Sequence, residues 1–236
     1  YEADIWLKRE DLSPVRSYKL RGAFNAMRKL PDQKDFVCAS AGNHAQGVAY
    51  MCRQFGVRGR IFMPVTTPQQ KIQKTKIFGG DQVTIDLVGD YFDDCLNAAQ
   101  AYCAEHAAHF LSPFDDEDVI EGQASVAVEI EEQLGRAPDQ IILPVGGGGL
   151  SAGMISYFEN RAQFTLVEPL GGACLWAALI AGKPVKLDKV DTFADGAAVG
   201  QIGQKTWERL KDVGLANVVR IPEDRICLTM LDMLNV

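Results

Sequence analysis

The chain has 236 residues, 47% hydrophobic and 23% charged, with a formal net charge of −7. This is the composition of an ordinary globular protein, long enough for one large domain or two small ones with a substantial core. The acidic balance and the lack of any Lys/Arg block argue against a nucleic-acid partner, and no apolar run reaches membrane-spanning length free of glycines and charges.

Six cysteines (Cys38, Cys52, Cys95, Cys103, Cys174 and Cys227) are scattered without a Cys-x-x-Cys pair. Their mostly apolar contexts read as buried thiols in a reducing compartment, the cytoplasm or an organelle matrix after processing. Nothing at the start reads as a signal peptide. The chain opens on Tyr1 rather than an initiator methionine, so a preceding segment is expected to be absent.

Taken in order, Ile5, Trp6 and Leu7 predict a short strand ahead of the charged run at 8–11. Leu20, Ala23, Phe24, Met27 and Leu30 recur at helical spacing, which predicts a helix over 17–30 ended by Pro31. Strands are predicted at 36–39, 60–63, 83–85 and 109–111, alternating with helices at 43–55, 68–78 and 90–104. The acidic run Asp115, Asp116, Glu117, Asp118 reads as a solvated loop with helix-capping carboxylates. A second series follows: helix 119–134, strand 141–143, a helix from about 150, strand 164–167, and helices near 175–181, 201–213 and 224–234. Alternating strands and helices predict an α/β protein with parallel-rich twisted sheets and helices on both faces.

Three stretches carry chemistry. Lys19, in Ser-Tyr-Lys-Leu-Arg-Gly-Ala at 17–23, reads either as a solvated helix residue or as an amine placed to form a Schiff base with a carbonyl compound. Gly146, Gly147, Gly148, Gly149 and Leu150 follow an apolar strand and open a helix. Four glycines let backbone approach a ligand and turn several N–H groups onto one anion, so a phosphate site is the reading. No Gly-Lys-Ser/Thr follows, and Gly-x-Gly-x-x-Gly fits poorly, which sets aside a P-loop and a dinucleotide fingerprint. Ser40, Ala41, Gly42, Asn43 and His44 form a second strand-to-helix turn. It suits a carboxylate through backbone N–H groups, with an N-cap by Ser40 or Asn43 as the alternative. His44 reads as a backbone contributor rather than a base. Glu168 and the acidic stretch 191–196 read as loop or cap residues rather than a metal site, and His106 and His109 as surface or partly buried residues.

The segments Ser-Tyr-Lys-Leu-Arg-Gly-Ala, Ser-Ala-Gly-Asn-His-Ala-Gln-Gly and Gly-Gly-Gly-Gly-Leu, in this order and spacing, resemble the fold-type II pyridoxal phosphate enzymes (tryptophan synthase β-like). Within that group they are similar to threonine dehydratase, also called threonine ammonia-lyase. The resemblance implies a lyase of amino-acid metabolism and isoleucine biosynthesis with pyridoxal 5′-phosphate as cofactor. It would convert L-threonine, and L-serine secondarily, to a 2-oxo acid and ammonia. Lys19 would carry the cofactor as a Schiff base and move protons at the substrate Cα. Tyr18 would pack on the cofactor, Asn43 would bond its 3-hydroxyl oxygen, and Gly146, Gly147, Gly148, Gly149 and Leu150 would hold its phosphate. Ser40, Ala41, Gly42, Asn43 and His44 would bind the substrate carboxylate.

The resemblance also implies a larger cofactor-binding domain from 1–37 and 119–236, incomplete at both ends, and a smaller inserted domain at 38–118. The expected partners are a small amino-acid substrate and further copies of the chain, as dimer or tetramer, with no nucleic acid and no membrane. Cys174 stands where metal-binding relatives such as serine racemase carry an aspartate, so no metal is expected. The partner of the pyridine nitrogen and any regulatory domain are expected beyond Val236. Serine racemase or serine dehydratase is the nearest rival, since the same lysine chemistry serves both. O-acetylserine sulfhydrylase departs at the lysine segment. A non-catalytic fragment of the same fold and a nicotinamide-dependent dehydrogenase are the alternatives of other classes.

Overall fold

The computed structural model describes residues 2–234; Tyr1, Asn235 and Val236 lie outside the described residues. The chain divides into two compact units, one ending at Phe110 and the other starting at Leu111.

In the first unit, helix α1 (Lys19–Arg28) leads into strand β1 (Asp35–Ala39), followed by α2 (Asn43–Phe55), β2 (Arg58–Met63) and α3 (Gln69–Gly79). Strand β3 (Val83–Leu87), α4 (Phe92–His106) and β4 (His109–Phe110) complete it. The sheet order is β3-β2-β1-β4, with every pair parallel. Phe36, Val37, Cys38 and Ala39 are all buried, as a central parallel strand requires when both faces are covered. Val37, Ala39 and Phe62 pack with Cys95 and Ala99 from α4, the spacing of one helical face. Gly56, left-handed at φ 64°, ends α2, its N–H donating to the Arg53 carbonyl.

The second unit begins with α5 (Glu117–Leu134) and β5 (Gln140–Pro144), then α6 (Gly149–Phe158) and β6 (Gln163–Pro169). It continues through α7 (Cys174–Ala181), α8 (Gln204–Leu210), β7 (Val218–Ile221) and α9 (Glu223–Leu234). Its sheet runs β5-β6-β7, again parallel. Strand β5 alternates: Ile141 and Leu143 are buried while Ile142 is 68% exposed. Asp116 caps α5 by accepting from the N–H groups of Asp118 and Val119, the capping role expected of the acidic run.

Three expectations change. Residues 5–7 form no strand; the side chains of Ile5, Trp6 and Leu7 are exposed, and three apolar residues without a ladder partner do not make one. Strand β7 is absent from the sequence reading because it is four residues long and interrupted by Arg220. The helix expected over 201–213 shortens to α8, whose cap is Gly203. In the first unit α1 packs on α2.

That helix packing depends on one glycine. A Cβ on Gly47 would lie 3.1 Å from the Leu20 nitrogen and 3.2 Å from the Lys19 carbonyl carbon. Backbone atoms at that distance yield only if a helix moves. Gly47→Ala is therefore expected to lower stability by about 1–3 kcal/mol, measured by urea denaturation, and to displace the peptide that bears Lys19.

Candidate active site

The first unit holds Lys19 at the N-terminus of α1, at the end of a loop built from local hydrogen bonds. Ser13 Oγ accepts from the Ser17 N–H at 2.9 Å and donates to the Ser17 carbonyl at 3.0 Å. Ser17 Oγ in turn accepts from the Lys19 N–H at 3.2 Å. Arg16 sits between them in the left-handed region at φ 55°, a strain of about 1 kcal/mol for a residue with a Cβ. Two turns of contact fix the helix start: Arg21 donates from Nε and Nη2 to the Glu10 carboxylate at 2.8 and 2.9 Å, with both side chains largely covered. This bidentate pair ties the 3₁₀ turn Glu10–Leu12 to α1, so the arginine of the lysine motif serves the scaffold.

Burial lowers the Lys19 ammonium to a pKa of about 8 and raises the Tyr18 phenol to about 12. Lys19 Nζ stands 5.6 Å from the Tyr18 ring centroid. An amine of that pKa carries a substantial neutral fraction near neutral pH, which is what a nucleophile or a base needs. The same shift has a thermodynamic sign. Between about pH 8 and 10.5 the unfolded chain holds more protons on this group than the folded one, so the burial penalty is full below pH 8 and fades as pH rises. Lys19→Met is expected to stabilise the cofactor-free protein at pH 7 by about 1–3 kcal/mol and to lose most of that gain by pH 10.5, read from urea denaturation at the two pH values.

Also in the first unit, residues 40–42 turn from β1 into α2. Ser40 Oγ accepts from the Gly42 N–H at 3.2 Å, and the helix cap is Gly42, with no side-chain cap bond. The capping role considered for Asn43 is therefore not used. Asn43, the first helical residue, is exposed, whereas His44 is buried at 3% exposure. Ala41 is half-buried.

The second unit holds the glycine loop, whose Cα atoms are closely packed against neighbouring residues. Added Cβ atoms would meet the Phe114 ring at 2.2 Å from Gly147 and Phe114 Cβ at 3.0 Å from Gly149. From Gly148, at φ 92°, one would meet Ile202 Cδ1 at 2.7 Å. The absent side chains thus serve packing as well as backbone access. Gly149 and Leu150 open α6, and the N–H groups of a first helical turn have no acceptor within the helix. Ser151, in that turn, is 1% exposed and its Oγ lacks a partner.

The acidic residues act as caps. Glu168 accepts from the Leu175 and Trp176 N–H groups at 2.7 and 2.8 Å, while burial raises its pKa against their pull. Asp191 accepts from the Phe193 N–H at 2.9 Å. No group of three or more His, Cys, Asp or Glu side chains among the described residues is arranged to hold a metal ion. No helix among them is long and apolar enough to cross a membrane. His106 is exposed and stacked on Tyr102 with ring centroids 4.0 Å apart; His109, half-buried, meets Phe36 edge-on.

Sequence reasoning missed the supports. Gly47 and Arg21 lay inside quoted motifs, so a signal was present. Phe114 and Thr206 act on the glycine loop from positions distant in the chain, and Asp115, expected as a cap, seats the start of α8 that carries Thr206.

The family model described as pyridoxal-phosphate dependent enzyme matches residues 1–235. The chain is 44% identical over 241 residues to the biosynthetic L-threonine dehydratase of Bacillus subtilis, covering all of this chain and 57% of that protein. It is 46% identical over 242 residues to the same-named protein of Lactococcus lactis, covering 99% of this chain and 58% of that one. The chain thus spans under three-fifths of the length of these relatives. Among solved structures, the processed form of threonine deaminase isoform 2 from Solanum lycopersicum superposes with a TM-score of 0.83 at 39% identity, over 91% of this chain and 60% of that one. Maize serine racemase does so with a TM-score of 0.84 at 27% identity, over 94% and 68%. With a match that runs from the lysine loop through the last helix, the chain belongs to the pyridoxal-phosphate dependent enzyme family.

Proposed function

We propose that this protein deaminates L-threonine, and L-serine less readily, to a 2-oxo acid and ammonia, with pyridoxal phosphate as cofactor. The observation that carries the chemistry is Lys19, held at a helix start by the Ser13–Ser17 bonds with its pKa lowered to about 8. The names of the relatives carry the substrate.

The residues present fit the cofactor. A phosphate needs N–H donors that no side chain screens, and the glycine loop supplies them at a helix N-terminus where the backbone dipole favours an anion. An aldehyde needs an amine that is partly neutral, and Lys19 has one. When bound, pyridoxal phosphate withdraws electrons from the substrate Cα and so acidifies its proton. Lys19 would hold the cofactor through its amine and, when that amine is free, would take the substrate Cα proton as base. Asn43, exposed at the start of α2, has an amide that would bond the cofactor's 3-hydroxyl oxygen. The backbone of residues 40–44 receives the substrate carboxylate at the positive end of α2. Tyr18 lends an apolar ring that stays protonated at physiological pH, since burial holds its pKa near 12.

All six cysteines are free thiols, which supports a reducing compartment such as the cytoplasm. The reading is tested by incubating the protein with pyridoxal phosphate and L-threonine, where equal amounts of 2-oxobutyrate and ammonia are expected. Conversion of L-serine to D-serine without any keto acid contradicts it and favours a racemase, the activity named for the maize neighbour.

A further inference from the structure

Two carbonyls of the glycine loop are held by side chains from later elements of the second unit. Gly146 O accepts from Cys174 Sγ at 3.4 Å, a thiol that burial keeps protonated, its pKa raised to about 12. Gly147 O accepts from Thr206 Oγ1 at 2.8 Å and from the Gly203 N–H at 3.4 Å. Thr206 is fully buried, and its hydroxyl also lies 3.1 Å from Gly203 O. With a single proton, it bonds best to the nearer acceptor.

The threonine is itself fixed. Asp115 accepts from the N–H groups of Gln204, Lys205 and Thr206 at 3.0, 2.6 and 3.3 Å, which seats the start of α8. Glu117 pairs with Arg209 on the same helix. Asp115 follows Phe114, whose ring lies where a side chain of Gly147 would stand and whose Cβ and backbone lie where one of Gly149 would stand. One short segment therefore packs on the loop and anchors the helix that holds it.

The consequence follows from peptide geometry. No described peptide is cis, and across a trans peptide the carbonyl and the next N–H point in opposite directions. Holding Gly147 O toward α8 turns the Gly148 N–H the other way. Gly148 has no side chain and a φ of 92°, so its own backbone does little to choose the orientation of that plane.

We infer that Thr206 is a positioning residue for the anion cradle: its hydroxyl fixes the Gly147–Gly148 peptide plane and thereby aims the Gly148 N–H at the cofactor phosphate. The inference rests on the reading of residues 146–150 as the phosphate-holding loop.

The test compares the wild-type protein with Thr206→Val, which keeps the branched shape and removes the hydroxyl, and Thr206→Ser, which restores it. Each is titrated with pyridoxal phosphate and, separately, with pyridoxal, which lacks the phosphate, by visible absorption. Thr206→Val is expected to weaken pyridoxal phosphate about tenfold while leaving pyridoxal within about twofold of wild type, and Thr206→Ser to recover most of the loss. Equal weakening of both ligands, or wild-type affinity for pyridoxal phosphate in the valine variant, overturns the inference. Failure of the wild-type protein to take up pyridoxal phosphate is a different result: it overturns the reading of the loop and the inference with it.

Discussion

Replacing Lys19 by alanine is expected to abolish the visible absorption of the bound cofactor and to cut 2-oxobutyrate formation from threonine by about a thousandfold or more. The size follows from two duties on one atom. In the proposed reaction Lys19 Nζ both anchors the cofactor and takes the Cα proton, so truncation removes both at once. The loss is chemical rather than conformational. The loop before α1 is held by Ser13, Ser17 and the Glu10–Arg21 pair, none of which uses the Lys19 side chain. Urea denaturation of the cofactor-free variant should therefore show undiminished stability, because a half-buried, partly desolvated cation has been removed. Lys19→Arg should lose activity equally, since a guanidinium keeps the charge but stays protonated and cannot serve as nucleophile or base.

Gly148→Ala is expected to lower stability by about 2–4 kcal/mol and to prevent cofactor uptake, measured by denaturation and by absorption. Two costs add here. A φ of 92° is unfavourable for any residue with a Cβ, and that Cβ would lie 2.7, 2.9 and 3.0 Å from Ile202 Cδ1, Leu210 Cδ1 and Thr206 Cβ. The parts can be separated. Ile202→Val deletes the nearest atom without altering the backbone, so combining it with Gly148→Ala should recover about 1 kcal/mol of coupling, and the remaining loss is backbone strain together with the contacts at Leu210 Cδ1 and Thr206 Cβ. Cofactor uptake should stay impaired in the double variant, because the φ of the loop is still wrong.

The local parts of this architecture are legible in the sequence because each rests on one stretch of chain. A lysine after Ser17, four glycines after the run at 141–143, and Ser40–Ala41–Gly42 after a buried strand state their geometry by composition alone. Period and punctuation place α1 to α7 and β1 to β6 to within about two or three residues. The failures have physical reasons too. Residues 5–7 are apolar but have no ladder, and apolarity alone does not supply one. Strand β7 is short, and its place at the sheet edge beside β6 is decided by pairing partners far back in the chain. The supports of the glycine loop are the clearest case: Asp115 reaches N–H groups 89 to 91 positions on, and Thr206 reaches back 59 positions to Gly147. No window of sequence contains both ends of such a bond. Gly47 falls between these cases, since its motif was recognised while its reason, the close approach of α2 to the Lys19 peptide, needed the fold.

The acidic residues show the same division. Glu168, Asp115, Asp116 and Asp191 were read as caps or loop residues, and each spends its carboxylate on backbone N–H groups. Cys174 directs its thiol to the Gly146 carbonyl.

Borohydride reduction of the cofactor-loaded protein, followed by proteolysis and mass mapping of the pyridoxyl group, is decisive for the role of Lys19. A single modified site is expected at Lys19, absent from Lys19→Ala protein. A pyridoxyl group on any other lysine, or none on a protein that still makes 2-oxobutyrate from threonine, would contradict that role.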